Sequence, residues 1–75
     1  MAETTIVKFE WADLGDAVQN VIYMGKAPFG TSVNDDNWEI QKFTYTLETD
    51  SKYYVSQIQT LSGKNWTDRA TYPWA

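Results

Sequence analysis

The residue types that most often carry enzyme chemistry are missing from this sequence. Its 75 residues include no histidine and no cysteine, which removes the commonest acid–base catalyst and the thiolate nucleophile. Serine and threonine are plentiful, but there is no histidine to activate a hydroxyl group. Pairs of carboxylates suited to glycoside hydrolysis can be drawn from Glu10, Asp13, Glu39 and Glu48, as in any small acidic protein. We therefore predict a protein that is not an enzyme and has no catalytic, cofactor-binding or metal-binding residues.

One short segment has the side chains of a calcium site. The run Asn34-Asp35-Asp36-Asn37 supplies the oxygen ligands that calcium prefers. It lacks the alternating acids and the closing glutamate of an EF-hand loop. Asn and Asp also hydrogen-bond to their own backbone in turns, and this turn interpretation is favoured over calcium binding.

Aromatic side chains are the more informative feature. They make up 16% of the chain, with four tryptophans and five tyrosines, more than the interior of so small a domain can easily hide. Strand alternation predicts that Trp11 and Trp38 lie in the core and leaves Trp66 and Trp74 as exposed anchors. Exposed aromatic side chains favour a protein–protein interface, and a platform that stacks sugars is the alternative.

Charge and hydropathy exclude several partners. The formal net charge is −4 and the pI is near 4.4, which argues against binding to nucleic acid or to anionic lipid. No apolar run approaches the length of a membrane span. The first residues lack the basic and apolar regions of a signal peptide. We expect a single domain over residues 1–75.

The elements that must position these side chains are strands. Apolar and polar residues alternate in four segments, residues 5–11, 20–24, 38–47 and 52–61. The last two of these segments should pair as an antiparallel hairpin. The predicted fold is all-β, either a small single antiparallel sheet, a curled barrel or a compact sandwich, with about four to five strands.

Two irregularities interrupt this pattern. Glycines and Pro28 break the alternation after the second strand, which predicts one long loop over residues 25–37. In the third strand, Trp38 and Ile40 lie on one face, whereas the apolar residues of 43–47 lie on the other. Either a bulge near residues 41–42 returns all of them to one face, or the two halves bury opposite faces, one in the core and one against a neighbour.

The C-terminal residues do not continue the alternating pattern of the strands. Residues 66–70 are predicted to form one helical turn, and residues 71–74 an extended tail. Because Pro73 cannot donate a backbone hydrogen bond, this tail should fit only at the edge of a sheet.

Three segments together resemble a known family. Residues 23–31 read Tyr-Met-Gly-Lys-Ala-Pro-Phe-Gly-Thr, residues 38–42 read Trp-Glu-Ile-Gln-Lys, and residues 66–72 read Trp-Thr-Asp-Arg-Ala-Thr-Tyr. In order and spacing they resemble a family of small, acidic, cysteine-free proteins encoded among the structural genes of tailed bacteriophages. The resemblance covers about residues 21–72. Phe29 departs from it, since the family often has a second proline there, and the N-terminal strand has no counterpart.

The resemblance implies a component of the virion or of its assembly, made in the host cytoplasm. The expected function is that of a non-enzymatic structural protein, which decorates or cements the capsid or belongs to the neck, tail or fibre attachment. Its expected partners are other virion proteins and itself, as a homo-oligomer such as a trimer. The alternative is a module that binds host-surface glycans through exposed Trp and Tyr, and an inhibitor of a host enzyme is a further one.

Five residues are the candidates for the interface. Phe29 should be presented outward by the stiff corner that Pro28 and its flanking glycines form. The other four lie near the C-terminus: Trp66, Arg69, Tyr72 and Trp74. Residues i and i+1 seldom face each other on a helical turn, so we expect Arg69 to pair with a carboxylate elsewhere or across the interface rather than with Asp68.

Overall fold

The protein folds as one open antiparallel sheet. The computed structural model describes residues 4–15 and 17–74. The strands are β1 (Thr5–Asp13), β2 (Gln19–Pro28), β3 (Trp38–Leu47) and β4 (Tyr53–Lys64). They lie side by side in the order β1-β2-β3-β4, and no helix occurs in the described residues. The prediction of an all-β fold is confirmed, and of the three architectures considered the single sheet is the one found.

The loop between β2 and β3 is shorter than predicted. It spans residues 29–37 rather than 25–37, because β2 continues to Pro28. Gly25 pairs with Lys8 on one side and with Ile40 on the other, so it lies inside the sheet. The chain turns instead at Gly30, which has a φ of 91°, a conformation that glycine adopts without strain.

The third strand contains no bulge at residues 41–42. Gln41 and Lys42 pair in unbroken register with Met24 and Tyr23, and the irregularities of β3 lie nearer its two ends. Successive side chains of a strand point to opposite faces, so Trp38 and Ile40 lie on one face and residues 43, 45 and 47 on the other. The bulge interpretation is wrong, and the two halves of β3 do present apolar side chains to opposite faces.

The register across the sheet defines the two faces, because directly paired residues share a face. The covered face includes the row Lys8, Gly25, Ile40 and Leu61 together with Ile6, Ala27 and Trp38. The open face includes Val7, Phe9, Trp11, Met24, Phe43, Leu47, Val55 and Ile58.

Residues 65–74 fold back over the covered face and are called the cap below. Gly63, whose φ is 68°, lies where the register of β4 shifts opposite Trp38 and Ile40. After Lys64 the chain makes tight turns in which Arg69 N donates to Trp66 O at 3.2 Å. The indole of Trp66 packs against Gly25 and against Trp38, with ring centroids 6.1 Å apart. The buried core of the described chain is Ala27, Trp38, Ile40 and Trp66.

Two expectations for the C-terminal residues are therefore wrong. Trp66 is not an exposed anchor, since only 9% of its surface is accessible. The tail after it does not lie at a sheet edge, because residues 72 and 74 pack on the core as part of the cap. The reason is the same in both cases: a glycine on the covered face leaves space that an indole ring can fill.

The hairpin of β3 and β4 is confirmed. Its turn is closed by Glu48 N donating to Lys52 O at 2.9 Å. Asp50 stabilises the turn, since its carboxylate accepts from Lys52 N at 3.0 Å and from the Tyr54 hydroxyl at 2.5 Å. The hydrogen bond to Asp50 raises the pKa of Tyr54 above its ordinary value.

Replacing Gly25 by alanine tests the packing of the cap. A Cβ at this position would lie 2.5 Å from Cε3 and 2.7 Å from Cζ3 of Trp66, closer than atoms can approach. We expect Gly25→Ala to lower the free energy of unfolding by about 1–3 kcal/mol, measured by urea denaturation. In a Trp66→Leu background, which lacks those ring atoms, the same change should cost less than half as much. Equal losses in the two backgrounds would contradict this packing.

Candidate protein-binding surface

Arg69 joins the cap to the sheet. Its Nε donates to Glu10 Oε1 of β1 at 2.6 Å, and its Nη1 donates to Trp66 O at 3.1 Å. The guanidinium carbon lies 4.5 Å from the ring centroid of Trp66 and 5.9 Å from that of Tyr23, within cation–π range. The prediction that Arg69 pairs with a carboxylate distant from Asp68 is confirmed, and the partner is in the same chain.

Tyr72 and Trp74 complete the cap. Trp74 Nε1 donates to Arg69 O at 2.7 Å, and its ring is tilted against Tyr23 with centroids 6.0 Å apart. The hydroxyl of Tyr72 accepts from Asn65 N at 2.8 Å and donates to Asn65 O at 3.3 Å. Both side chains are half-buried.

The structure thus brings four of the five candidate interface residues together in the cap: Trp66, Arg69, Tyr72 and Trp74. Their polar atoms bond within the chain, so the cap serves first to cover one face of the sheet. Phe29 lies outside the cap, in the turn after β2, and 74% of its surface is accessible. It is presented outward, as the loop geometry predicts. A role for these five residues at an interface stays a prediction.

The Asn34–Asn37 segment ties the loop to the cap. Asn34 Oδ1 accepts from Thr67 Oγ1 at 2.6 Å, and Asp36 Oδ1 accepts from Asn65 Nδ2 at 3.0 Å. Asp35 Oδ2 accepts from a backbone NH of the same loop at 3.2 Å. The oxygens that suggested calcium therefore accept hydrogen bonds in turns, and no group of three acidic side chains within residues 4–15 and 17–74 is placed to hold a metal ion.

The open face carries the tryptophan, Trp11, whose position the strand pattern predicted wrongly. Trp11 was predicted to lie in the core, but 55% of its surface is accessible. It lies beside Phe9, with ring centroids 5.8 Å apart, and Val7 continues the row along β1. The prediction fails because the cap covers the opposite face and nothing in the described chain covers this one.

A second apolar group lies across the sheet on β3 and β4. It consists of Leu47, Val55 and Ile58, which like the first group are 45–55% accessible. These two groups make up six of the nine exposed large apolar residues in the described chain, the others being Val18, Phe29 and Tyr54. Soluble monomers rarely expose large apolar areas without a function, so two groups of exposed apolar side chains on one face of the sheet indicate a binding surface.

One side chain, that of Tyr45, spans the middle of the open face and joins β3 to β2. Only residues 23–26 of β2 pair with β3, so the two hairpins diverge beyond Tyr23. There the Tyr45 hydroxyl donates to Val21 O at 2.6 Å and bridges the diverging strands. Lys26 and Glu39 form an exposed ion pair at 3.6 Å on this face, so its charges balance.

Comparison with protein-family models, with curated proteins and with solved structures finds no match to this chain. Within the described residues, no helix is long and apolar enough to cross a membrane.

The two ion pairs found among the described residues, Arg69–Glu10 and Lys26–Glu39, provide a matched test of the cap. Glu10→Gln removes the charge from a pair whose side chains are 36% and 25% accessible, and we expect a loss of about 1 kcal/mol in the free energy of unfolding. Glu39→Gln alters the longer, more exposed pair and should cost less than about 0.5 kcal/mol. Urea denaturation at low salt measures both changes. Equal losses would mean that Arg69 does not anchor the cap.

Proposed function

We propose that this protein is a non-enzymatic structural component of a tailed-bacteriophage particle that binds other proteins through its open face. The observation that carries the proposal is the difference between the two faces of one sheet. The chain covers one face with its own cap, while the other exposes six large apolar side chains at 45–55% of their surface. Burying such side chains against a partner removes apolar surface from water and drives association.

The chemistry of the open face favours a protein partner. Among the described residues, Lys26 and Glu39 are paired on it, and Asp13 at its margin has Oδ1 engaged with the NH groups of the following turn. It therefore carries no basic cluster for phosphate groups, and the chain as a whole has a net charge of −4. A partner surface that is apolar and close to neutral matches it best.

The resemblance to phage structural proteins supports the same proposal, because most of its residues belong to one part of the structure. Its residues are largely those that build the covered face and the cap: Tyr23, Gly25, Ala27, Trp38, Ile40, Trp66 and Arg69. The pattern thus corresponds to a sheet covered on one face by its own C-terminal residues. The residues of the open face lie mostly outside this pattern. Proteins that share the pattern can therefore differ in the open face and in the partner that it binds.

Quantitative mass spectrometry of purified phage particles tests the proposal. We expect the protein at a fixed copy number per particle, and we expect Trp11→Ser to reduce its incorporation at least about tenfold by removing the largest exposed side chain of the open face. Phe29→Ser is the comparison variant, because it removes a more exposed aromatic side chain outside that face. If the partner binds the open face alone, this change leaves incorporation unchanged and places Phe29 outside the interface.

Two results would contradict the proposal. The first is absence of the protein from particles of a phage that produces it in infected cells. The second is equal incorporation of Trp11→Ser and the native chain. If Phe29→Ser alone prevents incorporation, the loop and not the open face binds the partner.

The glycan-binding alternative now depends on Trp11. Trp66 is buried, and Trp74 is half-buried, with its ring tilted against Tyr23 and Nε1 bonded to Arg69 O, so both are less available to a sugar than Trp11. Trp11 and Phe9 are the exposed aromatic pair that could stack one. Titration with host polysaccharide, followed by tryptophan fluorescence in the native chain and in Trp11→Phe, separates this alternative from protein binding.

A further inference from the structure

The single chain is flatter than a complete domain of its size. It measures 45 × 30 × 17 Å, and its radius of gyration is 14.0 Å, against about 11 Å for a compact domain of this length. The buried core of the described chain comprises four residues, all on the covered side of the sheet. A single sheet with one apolar face in water is marginally stable, so a second layer over the open face would complete the fold.

The open face has the area that a stable pair of chains needs. Four strands about 4.8 Å apart, with roughly ten residues at about 3.3 Å each, present a face of about 600 Å². Two such faces packed together would bury about 1,200 Å², at the lower end of the roughly 1,200–2,000 Å² that specific interfaces bury. Within residues 4–15 and 17–74, the cap side offers no comparable apolar surface, because the tryptophans of the cap already pack against residues of the sheet.

The distribution of charge is also compatible with a second copy of the chain packing on the open face. Each chain carries a net charge of −4, so two copies repel each other over most of their surface. The open face is an exception, because its Lys26 and Glu39 pair with each other and the apolar groups around them carry no charge. Contact through this face brings together the least repulsive surfaces of two acidic chains.

We propose that the open face packs against the open face of a second copy to form a two-fold symmetric β-sandwich. The inference rests on the proposed function and deepens it: the protein that binds the open face is a second copy of this chain, and the dimer is the form that enters the particle. Two sheets stacked in this way lie about 10 Å apart and bury the apolar groups of both copies in one shared layer. When the same face of both chains forms the interface, the contact is two-fold symmetric and closes with two copies. The assembly is therefore a dimer and not the trimer named above as an example.

Native mass spectrometry across micromolar concentrations tests the pairing. We expect the native chain at twice its mass of 8.7 kDa. Ile58→Lys should weaken the dimer more than about 100-fold, because two-fold symmetry would bury an unpaired ammonium group twice. Phe29→Asp places a charge at the most exposed apolar side chain outside the open face and should leave the dimer intact. The near-ultraviolet circular dichroism of the Trp38–Trp66 pair verifies that each variant is folded.

Thiol reactivity gives a second readout that needs no disruptive change. The native chain has no cysteine, so Ile58→Cys and Phe29→Cys each introduce one reporter. Between dilute and concentrated protein, modification of the cysteine at position 58 by a maleimide should slow at least about tenfold as the dimer forms. The cysteine at position 29 should react at the same rate throughout.

Three results would overturn the pairing: a monomer at every concentration, a trimer, or a dimer that persists in Ile58→Lys while position 58 stays reactive. These results are distinguishable from failure of the proposed function. A monomer that enters particles through Trp11 overturns the pairing alone. A stable dimer that is absent from particles overturns the virion role alone.

Discussion

The indole ring of Trp66 lies directly on the backbone of Gly25, and most of the structure depends on this contact. Glycine is the residue that leaves this space in the middle of a strand, since any Cβ there would overlap the ring. Once the ring is seated, Trp38 packs against it, and Arg69 lies over it while bonding to Glu10. The contact therefore decides which face of the sheet the cap covers, and so which face is left exposed to water.

Local patterns in the sequence predicted the strands well because strand alternation is a local property. The third strand was predicted over residues 38–47, as it is observed, and its pairing with β4 follows from the short polar turn between them. Gly25 was misjudged for the opposite reason. Taken with Pro28, it has the composition of a loop, and its actual role depends on a tryptophan far along the chain. No property of the residues around Gly25 indicates that partner.

The same non-local contact explains why the two tryptophan assignments were wrong in opposite senses. Trp11 belongs to a regular alternating strand, so it was placed in the core, whereas Trp66 follows the last strand and was left outside. The cap accounts for both errors. It buries Trp66, and it covers the face opposite Trp11, which leaves Trp11 exposed. One signal of the open face was present in the sequence: the apolar residues of β3 change faces after Ile40. A strand with apolar residues on both faces needs two layers around it, and the cap supplies only one.

The cap covers one face of the sheet, and the other face is open to water. Fluorine NMR of the intact chain labelled with 5-fluorotryptophan tests this arrangement most directly, since the four tryptophans include reporters for both faces. Single Trp→Phe variants assign the four resonances, and the shift on exchange from H2O to D2O measures the solvent exposure of each ring. In dilute protein, we expect a large solvent shift for Trp11 and almost none for Trp38 and Trp66. A solvent-exposed Trp66 together with a shielded Trp11 would contradict this arrangement.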